Sequence, residues 1–499
     1  MKYKILFFLV GLFAVSTFGF SQNNYWSQQF GSRSSLMGGA VVGGVQDNSA
    51  LYYNPAGIAY IDSNYLNVSA NAYGMDWVNL KNGAGTNVDL NSLRILIYPQ
   101  FISGLIKFKF IPKLKMAYGL LTRYRSDQKM HADNTIDHYQ VIPGVPADQQ
   151  HYYGSYDYEL NSISQWGGFD IAYKFTPTFA MGLTTFITYT HSDGFRNTFL
   201  TTDVNAPNPD SSYTAKFSSF ERYSIDHFGM LWKLGFQFSW EKLKLGFAVT
   251  TPNISLFGFT RIAQTIEYQN QDRFIADTQP IGRYSSWLIS ADVNNLSTTL
   301  RNPLSLSVGL DYLFPKTGTR LAFTGEVFLG IPDYLVARSP DSVYIRPTSQ
   351  YTNVTYKLPF MQLINRNAPI INVAIGLEQK LSPRTTLFLG IRTDFNNGGF
   401  TGSNKKIISN TLNHTYNHYL HFSAGVTFKK GGSDISFGLN YGLGATSLKP
   451  QLINLSEPQV IVNDDGQYLA LQGVQNESIS ANVHSFALII GYTHRVKRH

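Results

Sequence analysis

The sequence predicts an all-β protein, a 14-stranded antiparallel transmembrane β-barrel closed around a small N-terminal plug. Three observations predict it: a strand-type composition poor in charge, long segments of strict two-residue alternation, and short and long connections that take turns along the chain. Charged residues make up 14% of the 499 residues and aromatic residues another 14%, whereas soluble proteins carry roughly 25% charge. Tyr, Phe, Gly, Ser, Thr and Asn replace the missing charge, a mixture that suits pleated strands and turns better than helices. Mean hydropathy is only −0.13, far below that of a helical membrane protein.

The N-terminus comes first. Lys2 and Lys4 precede an apolar run over 5–15, and Gly19-Phe20-Ser21 supplies small residues for cleavage. Residues 1–21 are therefore expected to be a signal peptide, with Gln22 beginning the mature chain. A membrane anchor would need ~20 apolar residues, and the run is about half that. The best later candidate, 93–112, is interrupted by Arg94, Pro99, Lys107 and Lys109. With no cysteine, disulfide frameworks, thiolate metal sites and a lipidated N-terminal cysteine are excluded. The net charge of +8 is scattered, which fits a solvated surface or contact with anionic lipid and lipopolysaccharide; no basic stripe points to nucleic acid.

Residues 22–63 lack alternation and are rich in Gly, Ser and Asn, yet carry Leu36, Met37, Val41, Val42, Leu51, Tyr52 and Tyr53. They read either as a linker or as a plug in the barrel mouth. From 64 to 499 the pattern is strand-like. Over 304–314, Leu304, Leu306, Val308, Leu310, Tyr312 and Phe314 share one face, and Ser305, Ser307, Gly309 and Asp311 the other. Over 232–240, Trp232, Leu234, Phe236, Phe238 and Trp240 oppose Lys233, Gly235, Gln237 and Ser239. Over 434–442, Ile435, Phe437, Leu439 and Tyr441 oppose Ser436, Gly438, Asn440 and Gly442. This is period-two β structure, and many runs reach the 9–11 residues that a tilted strand needs to cross a bilayer. Fourteen strands are expected to begin near 64, 94, 113, 154, 179, 215, 243, 302, 319, 370, 385, 416, 434 and 480. Short turns near 111, 176, 241, 316, 383 and 431 alternate with long loops at 81–93, 132–153, 203–214, 253–301, 330–369, 396–415 and 445–479. Both termini would then lie in the periplasm.

Residues 36–40, Leu-Met-Gly-Gly-Ala, and 47–57, Asp-Asn-Ser-Ala-Leu-Tyr-Tyr-Asn-Pro-Ala-Gly, resemble the hatch of the FadL/TodX family of outer-membrane transporters. Gly38, Gly39, Asn54, Pro55 and Ala56 carry that resemblance. It implies localisation in the outer membrane of a Gram-negative cell and passive uptake of a hydrophobic ligand, a long-chain fatty acid or a hydrocarbon. It also implies a hatch that moves to open a lateral route, with no cofactor and no enzymatic step. In the residues themselves, Pro55 biases Asn54 toward extended backbone, so the motif reads as shaping the hatch or, alternatively, as touching ligand. The 203–214 loop is short and polar, unlike that of fatty-acid transporters in the family.

Two apolar clusters are candidates for an outer capture loop: Ile254, Leu256, Phe257 and Phe259, and then Ile331, Tyr334 and Leu335. Both read equally as strand continuation. His414, His418 and His421 lack a metal-site pattern, and no phosphate loop or nucleophile motif is present. The alternative function is that of a non-transporting barrel with protein partners in an outer-membrane secretion or assembly complex.

Overall fold

A computed structural model describes residues 24–495, except 62–64, 109, 144, 206, 208–211, 271–272, 276–278, 282–285, 341, 345, 348–356, 360–361, 398–408, 412–416, 450, 461–469 and 477–478. The expected signal peptide at 1–21 and His414 lie outside the described residues.

One antiparallel sheet holds seventeen hydrogen-bonded segments. One of them is the two-residue piece Arg346–Pro347, and four are halves of two interrupted strands. Among the described residues this leaves fourteen staves. They are β1 (Tyr65–Gly85), β2 (Val88–Lys107), β3 (Leu114–Asp137), β4 (Gln150–Lys174), β5 (Phe179–Val204) and β6 (Tyr213–Ser239). Then come β7 (Leu243–Thr250, resuming as Ile254–Gln269) and β8 (Ser286–Ser297, resuming as Ser305–Phe314). The rest are β9 (Thr319–Phe328), β10 (Ile370–Lys380), β11 (Thr385–Asp394), β12 (His418–Lys430), β13 (Ser433–Lys449) and β14 (Ile479–Arg495). Each stave pairs with its chain neighbours, and β14 pairs with β1 from Tyr65↔Arg495 to Leu80↔Ala481. The ring is closed, which leaves no open sheet edge for lipid to meet.

The outer face shows where the bilayer lies. Along β6, Phe228, Met230, Trp232, Leu234, Phe236 and Phe238 point outward while the intervening residues are buried. Above them the same face changes to Asp226, Ser224 and Arg222. The apolar stretch of about eleven residues is one membrane crossing, so more than half of the 27-residue strand rises above the bilayer. On the short side, β9 to β11 span only 10 or 11 residues. Exposed Leu306, Leu310, Phe323, Ile375, Leu389, Phe437 and Leu439 continue the belt around the barrel. A belt of this width would aggregate in water and is stable only in hydrocarbon, so the chain is an outer-membrane barrel.

Two expected connections change. The loop placed at 81–93 is almost all strand: Gly85 pairs with Val88, leaving a two-residue turn. Asn87 in the turn (φ 61°) and Gly85 beside it (φ 139°) adopt positive φ, which Asn and Gly tolerate and bulkier residues resist. The long and short connections therefore do not alternate strictly. The loop placed at 253–301 shrinks because β7 resumes at Ile254 and β8 begins at Ser286.

Two apolar cores fill the lumen. The lower joins residues 25–61 to inward side chains such as Phe101, Trp166, Phe186 and Phe388. The upper joins Tyr152, Tyr156, Leu200 and Ile225 of the raised strands to Val141, Ile142, Leu363, Leu455 and Leu471 of the connections.

Candidate functional site: a seated plug, a cavity and an interrupted wall

Residues 24–61 run around the inside of the barrel, a few residues above the rim where both ends of the sheet lie. They contain two short helices, α1 (Ser32–Leu36) and α2 (Ala50–Tyr53), and a 3-10 turn at Pro55–Tyr60. The wall receives this segment on glycine. Five directly paired glycine couples face it across neighbouring staves: Gly119–Gly168, Gly182–Gly235, Gly246–Gly309, Gly376–Gly390 and Gly425–Gly438. A Cβ at Gly246 would sit 2.0 Å from the Val42 carbonyl oxygen, and one at Gly390 would sit 2.4 Å from the Gly38 nitrogen. Side chains at these positions would displace plug backbone, so only glycine allows the approach. Gly38 and Gly39 themselves have φ of +65° and +85°, and a Cβ on Gly39 would strike Gln29.

Asn54 shows what its motif does. Its Nδ2 donates to the Val42 carbonyl at 3.0 Å and to the Phe236 carbonyl of β6 at 3.1 Å. Its Oδ1 accepts from the Ala56 nitrogen at 3.3 Å. One fully buried side chain thus ties the middle of the plug to its later part and to the wall. The backbone is extended at Asn54 (φ −152°, ψ 99°), as the following proline favours. Pro55 lies against Gly182 and Gly235, and Ala56 is buried.

Charge fastens opposite sides. Arg33 meets Glu378 at 2.8 Å and Asp311 at 3.8 Å, and Arg320 bonds Asp311 at 2.6 Å. Burial works against the charge on Arg33, but Glu378 and Asp311 outweigh it and hold the guanidinium above its ordinary pKa. Near the start of the segment, Arg392 donates to the carbonyls of Trp26 (3.0 Å) and Ser27 (3.3 Å), while the Trp26 nitrogen donates to Asp394 (2.9 Å). Wall side chains also cap plug carbonyls: Lys115 on Ile61, Thr184 on Leu51 and Ser423 on Leu36.

Above the plug lies a cavity of about 140 Å³. Its floor is Tyr25 and Tyr52 of the plug; Trp166, Phe186, Leu231 and Phe328 form apolar walls, with Arg123, Lys233 and Glu326 among them. It reaches the wall where two neighbouring staves are interrupted at the same height, β7 at 251–253 and β8 at 298–304, and Thr250, Asn253 and Leu300 to Pro303 line it there. Trp232, within the apolar belt, pairs with Thr251 across this level. In place of a backbone ladder, the Asn253 side chain bridges the gap, donating to the Leu300 carbonyl at 2.7 Å and accepting from the Asn302 nitrogen at 2.6 Å. Pro252 and Pro303 stand in the two gaps and remove ladder donors there.

The two clusters proposed for capture separate. Ile254, Leu256, Phe257 and Phe259 lie on a strand rather than a loop, exposed on the outer wall beside the gap. In the other cluster, Ile331, Tyr334 and Leu335 form a short strand paired with 362–367. Of the three, Tyr334 reaches the cavity, where its hydroxyl accepts from the Arg301 nitrogen at 3.1 Å, while Leu335 is exposed. The cavity residues escaped sequence reading because they come from many strands. The prolines at 252 and 303 were the available signal.

No family model and no curated protein matches the sequence. Solved structures do match across nearly the whole chain. The Pseudomonas putida toluene transporter TodX aligns at 12% identity and a TM-score of 0.57, covering 95% of this chain and all of its own. A Pseudomonas aeruginosa FadL homologue aligns at 12% and 0.53 (96% and 100% covered), and the Ralstonia pickettii toluene transporter TbuX at 12% and 0.52 (94% and 99%). The fold is the FadL/TodX fold. In this FadL/TodX-type barrel, the segment with the hatch-like motif occupies the lumen beside a cavity.

Proposed function

We propose that the protein takes up hydrophobic small molecules across the outer membrane, with residues 22–63 as its hatch. The observation that carries this reading is the cavity directly above the plug, walled by aromatic rings and ending at a gap in the barrel within the apolar belt. The FadL homologue, TodX and TbuX supply the same fold, and two of them are described as toluene transporters. A purely structural partner would have no use for such a cavity; a pocket of convergent apolar and polar groups is the usual form of a ligand site. Cargo enters the cavity from the outer side and leaves sideways between β7 and β8 when Asn253 releases Leu300 and Asn302. Outward Ile254, Leu256 and Phe257 flank that exit on the lipid side.

The test is a cross-link. The chain has no cysteine, so Asn253→Cys with Asn302→Cys introduces a single pair across the gap. Cells carrying the oxidised pair are expected to take up a small aromatic probe, toluene or benzoate, about tenfold more slowly than the same cells after reduction, a barrier change of about 1.4 kcal/mol. Equal rates in the two states would rule out the β7–β8 exit, and rates for both probes no higher than in cells lacking the protein would rule out uptake.

A further inference from the structure

Resting on that uptake reading, we propose that the cavity is a binding site for a small aromatic acid, a single ring bearing one carboxylate, rather than for a neutral hydrocarbon or a long-chain acid. Size sets the ring. A cavity of about 140 Å³ compares with an engineered apolar cavity of about 150 Å³ that holds one benzene. Trp166 and Phe186, 5.4 Å apart between centroids, and Tyr52 form the surfaces against which such a ring packs.

Charge sets the carboxylate. Lys233 is 5% exposed, and its ammonium stands 5.0 Å above the Tyr52 ring. Among the described residues it makes no salt bridge. Arg123 is 7% exposed, stacks over Tyr25, Tyr52 and Trp166 at 5.6–5.9 Å, and its Nε is buried without a hydrogen-bond partner. Glu326, the carboxylate among the cavity's lining residues, already accepts from Trp26 Nε1 at 2.8 Å and Ser305 Oγ at 2.7 Å. Two buried cations thus share one committed anion. Burying cations costs heavily unless they are paired, and cation–π contact returns only part of the cost. An incoming carboxylate supplies the missing partner, and its ring packs against the aromatic walls of the site. Toluene, with a methyl in place of the carboxylate, would leave both cations unpaired. A long acyl chain would exceed the volume.

The test uses the full-length protein in lipid nanodiscs, with benzoate, toluene and palmitate as calorimetric probes. Benzoate is expected to bind most tightly. Lys233→Met should weaken benzoate by about 10- to 100-fold, the range for a lost charged hydrogen bond, and leave toluene unweakened. Lys233→Arg should restore most of the benzoate affinity. Unchanged heat-modifiable mobility on gels shows that each variant is folded. Tighter binding of toluene or palmitate than of benzoate overturns the aromatic acid but leaves hydrophobic uptake standing. Benzoate binding indifferent to both Lys233 variants also overturns it. Absence of binding by all three probes overturns both readings.

Discussion

The lower and upper halves of the lumen are filled in opposite ways. In the lower half, the wall sets inward rings such as Phe101, Trp166, Phe186 and Phe388 between strips that carry no side chain. It presents paired glycines, and the plug supplies the bulk through Phe30, Leu36, Met37, Leu51 and Ile58, all completely buried. Specific fastenings, Asn54, Arg33–Glu378 and Arg392, hold it in place. In the upper half, the raised strands supply large side chains, and apolar residues from the connections interlock with them. A piece that seats on glycine can leave as a unit once a few polar ties are broken. A core interdigitated from several connections cannot, because each side chain must be withdrawn separately. On the uptake reading proposed above, the lower half is the place for a moving part and the upper half for a fixed funnel.

The strongest way to break this contrast is Gly246→Val. The obstacle is plug backbone, which cannot rotate aside, so the cost should exceed the ~3 kcal/mol of ordinary overpacking. The plug should become protease-sensitive in a barrel that still resists heat and detergent; a protected plug would refute the glycine seat. Next, Arg33→Met leaves Arg320 as the remaining salt-bridge partner of Glu378 and Asp311 among the described residues. Removing one partner of a buried ionic cluster costs about 3–5 kcal/mol, and hydrogen exchange should quicken at 32–61 but not at 451–460 and 470–476. Leu471→Ala in the upper core should cost about 2–5 kcal/mol with the reverse pattern, faster exchange at 452–460 and 470–472 and an unchanged plug. Exchange rising in both regions for either variant would show that the two cores are one cooperative unit. The smallest effect is expected for Gly325→Ala, where a Cβ would have no neighbour nearer than 3.6 Å; a melting temperature displaced by several degrees would mean that glycine serves the strands themselves.

The strand pattern was legible because lipid and lumen impose opposite demands on alternate residues. The starts of β5, β7, β9, β10 and β11 fall where alternation places them. The first hairpin was misjudged because β1 and β2 continue above the membrane, where neither face meets lipid and alternation fades. The glycines at 235, 309 and 438 were visible on inward faces, but a single strand does not show that it is aligned with its neighbours. Pairing register, which joins Gly425 to Gly438 and Gly246 to Gly309, turns scattered small residues into a seat.

The sequence by itself determined the barrel, its closure with both ends on one side, and a Gly-rich segment ending in Asn54-Pro55-Ala56, since these depend on local periodicity and turn chemistry. Only the tertiary structure decided what the segment rests on, that Asn54 fastens it, and that Lys233, Arg123 and Trp166 converge on one cavity at a gap in the wall. Those residues are as much as 110 positions apart, and the curvature of a closed sheet alone brings them together.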